Sequence, residues 1–266
     1  MRFKVVMAGW NCLRFLPRSL DSVAAQDDDA FDVCVVDDAS EDERQPEYME
    51  AFCRKAGWRF IRNESQRGGL YNHVAAVAAT SPDPEDVIVS VDADDRLSGP
   101  DALSRLRAYY EFYRPLLTYG SYQCDPEDDR VTPALHLPDE IILNNAYRQF
   151  AARDDIPDPI WFNHLRSVKH ELFAMLEPSI DCQHPDGSWL RTCYDLAITL
   201  PSLERAGGRH LLIPDILYTY TRDNPLSDCY INQETIARDK AHIFNLTPKS
   251  PLGEIVVPPR LTSCPW

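Results

Sequence analysis

Two rhythms of apolar and polar residues alternate over the first 120 positions. Short runs rich in β-branched residues recur at Phe3 to Ala8, Phe31 to Val36, Trp58 to Ile61 and Val87 to Val91. Between them the apolar residues take helical spacing. Leu13, Phe15, Leu16, Leu20 and Val23 share one helical face, with Asn11 as candidate N-cap and Pro17 near the start or at a kink. Pro46 to Ala56, the Ala/Val-rich Leu70 to Ala79, and Ala102 to Tyr113 predict three further helices. The run from Phe31 to Val36 is apolar except at Asp32, as suits a strand covered on both faces over most of its length. Strand and helix in alternation predict an α/β fold: a Rossmann-like, mostly parallel sheet flanked by helices. Such sheets bind ligands beyond the carboxyl ends of their strands, so the residues that follow each run hold the chemistry.

The second half is less regular. Leu116 to Tyr122 predicts a strand, Asp125 to Asp129 an acidic turn, and Pro133 to Pro159 an irregular stretch with a helix around Ile141 to Ala152. Val168 to Leu176 and Leu196 to Ala206 predict helices, the second ended by Gly207 and Gly208. His210 to Ile213 and Ile216 to Tyr220 read as short strands, and Asn232 to Phe244 as a helix. Residues 247–266 form a proline-rich tail. With no repeat and no long linker, one domain over residues 1–246 is expected, followed by that tail.

Composition narrows the classes. The chain has 266 residues, 44% of them hydrophobic, enough for one sizeable core. Its net charge of -15 argues against nucleic acid as a partner, because a phosphate backbone needs clustered Lys and Arg. None of the eight cysteines has CxxC spacing, so a structural zinc site is not expected. No apolar run approaches the about 20 residues of a transmembrane segment. The start runs straight into a short strand instead of a signal peptide, and free thiols suit a reducing compartment, so a cytoplasmic setting is expected.

Two acidic clusters end two of the predicted strands. The second strand runs into Asp37 and Asp38, and the Val87 to Val91 strand runs into Asp92, Ala93, Asp94 and Asp95. Carboxylates gathered at one sheet edge repel one another unless a cation or a donor-rich ligand joins them. Hard oxygen ligands suit Mg²⁺ or Mn²⁺, which in turn suit a diphosphate. Taken alone, each cluster is equally a set of solvated turn acids.

The stretches VVMAGWN, FLPRSLDSVAAQ, VCVVDDASED and VSVDADDRL, in this order and spacing, resemble glycosyltransferase family 2. The resemblance implies a GT-A fold and a nucleotide-diphosphate sugar donor. It makes residues 1–122 the donor-binding half and residues 123–246 the acceptor-side half. It implies nucleotide contacts from Ala8, Gly9, Asn11, Asp37 and Asp38, and from Asn63, Arg67, Gly68 and Asn72 ahead of an Ala-rich helix. Asp92 and Asp94 match the family's DxD motif, with Asp92 toward ribose and metal, Asp94 toward the metal, and Ala93 and Asp95 beside them. The implied cofactor is Mn²⁺ or Mg²⁺. A His as an extra metal ligand is compatible with the sequence, but no single one stands out.

The family's catalytic base lies in a Glu-Asp pair opening a helix that ends in Ala-Gly. Anchored on Ala206 and Gly207, the pair falls on Asp195 and Leu196, so one carboxylate remains. Asp195 is the candidate base and Asp186 its substitute, each with a plain capping or turn role as the alternative. Trp161, His164 and Arg166 are acceptor-side candidates, through sugar stacking and phosphate pairing. The implied reaction is inverting transfer of a sugar to a glycan, lipid-linked or other hydroxyl acceptor. The competing classes are a nucleotidyltransferase, which would want a basic Gly-rich loop where Gly9-Trp10-Asn11 stands, and a noncatalytic nucleotide-sugar-binding module.

Overall fold

The computed structural model describes residues 1–125, 131–153 and 162–263. In chain order its elements are β1 (Phe3–Gly9), α1 (Leu16–Ala24), β2 (Phe31–Asp37), α2 (Arg44–Ala56), β3 (Arg59–Arg62), α3 (Gly69–Thr80), β4 (Val87–Asp92), β5 (Arg96–Leu97) and α4 (Ala102–Tyr113). There follow β6 (Leu117–Gly120), β7 (Tyr122–Asp125), β8 (Val131–Thr132), α5 (Asp139–Leu143), α6 (Tyr147–Ala151), β9 (Arg166–Lys169), α7 (His170–Phe173) and α8 (Pro178–Asp181). The last are α9 (Tyr194–Ala206), β10 (His210–Ile213), β11 (Tyr218–Thr221), α10 (Asp228–Ile231) and α11 (Gln233–Asn245).

Seven strands form the main sheet in the order β10-β6-β9-β4-β1-β2-β3. All neighbours are parallel except β9, which runs antiparallel to both β4 and β6. Alternation along β1 explains the layering. Phe3, Val5 and Met7 face one core with Leu16 and Leu20 of α1, Met49 of α2 and Leu103 and Leu106 of α4. Val6 faces the other, with Cys34, Val36, Leu70 and Val77 of α3 and Leu200 and Leu203 of α9. A smaller sheet, β5-β11-β7-β8, stands beside the ligand edge.

The expected sheet is present, with β1 between β2 and β4. Four local expectations fail. Residues 166–169 form β9, not the start of a helix through Val168 to Leu176; Val168, Leu172 and Leu176 do have helical spacing, but the gap between β4 and β6 offers ladder partners to both edges of these residues. Asn11 does not cap α1, whose N-cap is Phe15; Asn11 has φ 48° and its Oδ1 instead accepts from Glu41 N at 2.9 Å. The helix around Ile141 to Ala152 is two short helices, α5 and α6, broken at Asn145 with φ 51°. Leu116 to Tyr122 likewise divides into β6 and β7, one in each sheet. The tail segment 249–256 lies along the end of α9, with Leu252 N donating to Arg205 O at 2.9 Å and Val256 N to Gly207 O at 2.9 Å.

Candidate active site

Parallel register brings the acidic strand ends together. Ala8 pairs with Val36 on one side and with Asp92 on the other, so β1 ends between the two carboxylate clusters. A cavity of about 410 Å³ opens there. Of the residues anticipated from sequence, Ala8, Gly9, Asp38, Gly68, Asn72, Asp92, Asp94, Asp95, His164, Arg166 and Asp195 line it. Asn11, Asp37, Asn63, Arg67, Ala93 and Asp186 do not line it.

The Asp38 carboxylate organises the wall between β2 and α3. Its Oδ1 accepts from Asn63 Nδ2 at 2.7 Å and Arg67 N at 2.8 Å, and its Oδ2 from Gly68 N at 2.9 Å. Asn63 Nδ2 also donates to Asn72 Oδ1 at 2.7 Å, joining this loop to α3. The Arg67 guanidinium lies over the Tyr71 ring, 4.4 Å from its centroid. Asp37 is fully buried and accepts from Ser40 N at 3.2 Å and Gln45 Nε2 at 3.0 Å, so its carboxylate holds the loop after β2. Ala93 is buried against Gly9.

Asp92, Asp94 and Asp95 form a crowded group fastened by residues far along the chain. Asp92 Oδ1 accepts from Tyr194 Oη at 2.6 Å. Asp94 Oδ2 accepts from Asn224 Nδ2 at 2.7 Å. Asp95 accepts from Tyr218 Oη at 2.8 Å and Thr221 N at 2.7 Å. Tyr218 Oη also accepts from Asp92 N at 3.1 Å, and its ring stacks on His164 at 4.2 Å. Burial raises all three carboxyls above the usual range; burial and the charge of Asp92 push Asp94 up to about 6. Ligand atoms of Asp92, Asp95 and His164 lie within 4.8 Å of one another. Burial and the nearby Arg166 push the His164 imidazole well down, which leaves it neutral, the form that binds metals.

The opposite wall comes from the start of α9. Arg166 NH1 is 3.3 Å from Asp195 Oδ2, and Arg166 NH2 donates to Tyr194 Oη at 3.0 Å. Burial alone would lower the Arg166 pKa; Tyr194, Asp195 and Asp92 outweigh it and hold the guanidinium charged. The Tyr194 ring stacks on His73 of α3 at 4.0 Å, and burial lowers His73 to about 4. Asp186 sits on an exposed turn, accepting from Ser188 N at 2.9 Å and Ser188 Oγ at 2.6 Å. Trp161 lies outside the described residues.

Sequence reasoning missed Tyr194, Tyr218, Thr221, Asn224 and His73. Tyr194 had one local signal, since it directly precedes Asp195 at the helix start where a second acid was sought. Tyr218, Thr221 and Asn224 are joined to the acidic group, and His73 to Tyr194, only by tertiary contact.

A GT-A architecture, the sheet of nucleotide-sugar transferases, is what this order of strands and this cleft define. The sequence profile of glycosyl transferase family 2 matches residues 4–173, and the chain belongs to that family and is a glycosyltransferase. No curated protein matches it in sequence. Among solved structures, S. aureus TarS 1-349 matches with a TM-score of 0.60 and 19% identity, over 94% of this chain and 67% of that one. A longer S. aureus TarS chain gives 0.61 and 18%, over 94% of this chain and 41% of that one. Mannosyltransferase PcManGT from Pyrobaculum calidifontis, solved with GDP-Man and Mn²⁺, gives 0.53 and 18%, over 82% of this chain and 56% of that one. At such identities the likeness concerns the fold, and the chain spans only part of each relative's length. No helix among the described residues is long and apolar enough to cross a membrane.

Proposed function

We propose that the protein transfers one sugar, with inversion, from a nucleotide-diphosphate sugar to an acceptor hydroxyl, and that it needs Mn²⁺ or Mg²⁺ to do so. The observation that carries this reading is the meeting of Asp92, Asp94 and Asp95 with Arg166 and Asp195 around one cavity at the end of β1. Structural relatives of the same fold were solved with UDP, UDP-GlcNAc or GDP-Man, which supports a nucleotide-sugar donor. The acceptor is a glycan, a lipid-linked sugar or another hydroxyl compound.

The donor set fits a divalent cation. Three carboxylates whose pKa values burial has raised gain most from a hard cation among them. Asp94 and Asp92 would hold it, with Asp95 and His164 as the neighbouring ligands. When bound, the cation neutralises charge on the diphosphate leaving group. Ala8, Gly9, Asp38, Gly68 and Asn72 form the wall that receives the nucleotide. Asp195 takes the proton of the acceptor hydroxyl as it attacks the anomeric carbon, and Arg166 orients that carboxylate through the 3.3 Å contact.

The test is a panel of nucleotide sugars screened by thermal shift with and without Mn²⁺, followed by an assay for nucleoside diphosphate release. A donor held at 100 times its Kd adds about 2.7 kcal/mol of stability. Metal-dependent stabilisation and turnover support the proposal. Stabilisation without turnover for any acceptor would favour a binding module, and turnover unaffected by EDTA would remove the metal requirement.

A further inference from the structure

Helix α9 enters the active site in an unusual way. Its N-cap, Cys193, has φ 55° and ψ 31°, a left-handed conformation unfavourable for a residue with a side chain, and no side chain caps the helix locally. The next two residues are Tyr194, which holds Asp92, and Asp195. Something outside the helix has to hold this turn.

Asp239 of α11 meets that need. It is fully buried, and its Oδ2 accepts from Arg191 N at 2.9 Å, Thr192 N at 3.0 Å and Thr192 Oγ1 at 3.0 Å. Its Oδ1 is 2.9 Å from His184 Nε2 and 3.2 Å from Arg238 NH2. Burial pushes its pKa up, but the bonds from Thr192, His184 and Arg191 outweigh burial and keep it below the usual range. On its other side the same turn meets the donor-side wall. Arg191 NH1 donates to Gln66 O at 2.9 Å, and Arg191 O would lie 3.1 Å from a Cβ placed on Gly68.

We infer that Asp239 is a positioning residue for sugar transfer: from α11 it fixes the turn at residues 191–193 and so sets where Tyr194 and Asp195 enter the cleft. The inference rests on Asp195 being the base. Asp239 bonds to no member of the acidic group and does not itself line the cavity; its effect passes through Arg191 and Thr192, which do line it.

The test compares Asp239→Asn with Asp195→Asn by hydrogen exchange, donor affinity and turnover. The probe is whichever nucleotide sugar gives the largest thermal shift with Mn²⁺. For Asp239→Asn, exchange at the Arg191 and Thr192 amides should quicken by about tenfold or more while the rest of the chain is unchanged. Turnover should fall by about tenfold or more, and donor Kd should rise by less than turnover falls, since the turn also carries Tyr194 to Asp92 and Arg191 to Gln66. Faster exchange throughout the chain, or local exchange with unchanged turnover, overturns the inference. If Asp195→Asn leaves turnover intact while Asp239→Asn lowers it, the base assignment fails and the positioning role stands through Tyr194. If only Asp195→Asn lowers turnover, the positioning role fails alone. Thr192→Val removes a single donor to the same carboxylate, and it should reproduce a severalfold part of the loss should Asp239→Asn not fold.

Discussion

Tyr194 and Asp92 stand 102 residues apart in sequence and are joined by a 2.6 Å hydrogen bond from phenol to carboxylate. The bond ties the start of α9 to the end of β4, and so the wall that carries Asp195 to the acidic group. Tyr194→Phe keeps the stack on His73 and removes this donor together with the acceptor for Arg166 NH2. A hydrogen bond to a charged group contributes about 1.5–3 kcal/mol, so Mn²⁺-dependent binding of UDP should weaken roughly 10- to 100-fold in calorimetry. Unchanged binding would mean that Asp92 needs no help from α9.

Asp195→Asn keeps the size of the side chain and removes the proton acceptor. Donor affinity should stay within a few-fold of the parent, while transfer at saturating substrates falls by about 10²–10⁴-fold. Asp186→Asn, on its exposed turn, should transfer sugar at the parent rate. The reverse pattern in the same assay would move the base to that turn.

Gly68 has φ +90°, and a Cβ there would lie 3.1 Å from Arg191 O. Gly57 has φ +74° with nothing within 4 Å of the same position. Gly57→Ala should show backbone strain alone, about 1 kcal/mol. Gly68→Ala should cost about 1–3 kcal/mol and also weaken donor binding, because Gly68 N holds Asp38. Equal melting temperatures for the two variants would show that the Arg191 contact is easily relieved.

The Asp28 carboxylate accepts from Arg107 Nε at 2.5 Å, Arg107 NH2 at 2.9 Å and Ala30 N at 2.8 Å. Burial pushes its pKa up, but the bonds from Arg107 and Ala30 outweigh burial and lower it. The stabilisation is therefore fully present above the ordinary carboxylate pKa of about 3.9 and is lost as pH falls through the lower folded value. The melting temperature of Asp28→Asn should lie below the parent at pH 7, and the gap should narrow as pH falls below the ordinary carboxylate value toward the lower folded one. A gap that does not narrow as pH falls would assign the loss to packing.

Arg148 and Glu204 are both buried, with Arg148 Nε 2.7 Å from Glu204 Oε1 and Arg148 NH1 2.6 Å from Ile243 O. Glu204→Ala leaves a buried guanidinium without its partner and should destabilise by about 3–5 kcal/mol in denaturant titration. Arg148→Met combined with Glu204→Leu should recover much of that loss, since the apolar pair leaves no buried charge. A double variant as unstable as the single one would argue that the bond to Ile243 O matters more than the pair.

The first half of the fold was legible because its information is local. Val5, Val35 and Val89 sit in β-branched runs that end in Gly or Asp, and these patterns mark both the strands and the ligand edge. The acidic group was legible for the same reason, as Asp92, Asp94 and Asp95 are neighbours in sequence. β9 was not, because Val168 and Leu172 have helical spacing and only the ladders to Val89 and Thr118 make a strand of Ser167 and its neighbours. The fastening of the acidic group by Tyr218, Thr221 and Asn224 was hidden similarly, since none of these residues bears a local mark of the carboxylate it meets.

The place of β9 also governs the order in which the molecule can be assembled. Val89 of β4 has to wait for Ser167 as its ladder partner, and Thr118 of β6 waits for the same residue. Until that strand emerges from the ribosome, β4 presents an open, apolar edge while β1, β2 and β3 can already pair behind it. Long-range closure of this kind slows folding and prolongs the life of a sticky edge. A pause in synthesis before residues 166–169 have emerged should accordingly favour aggregation, and a pause once they have emerged should relieve it.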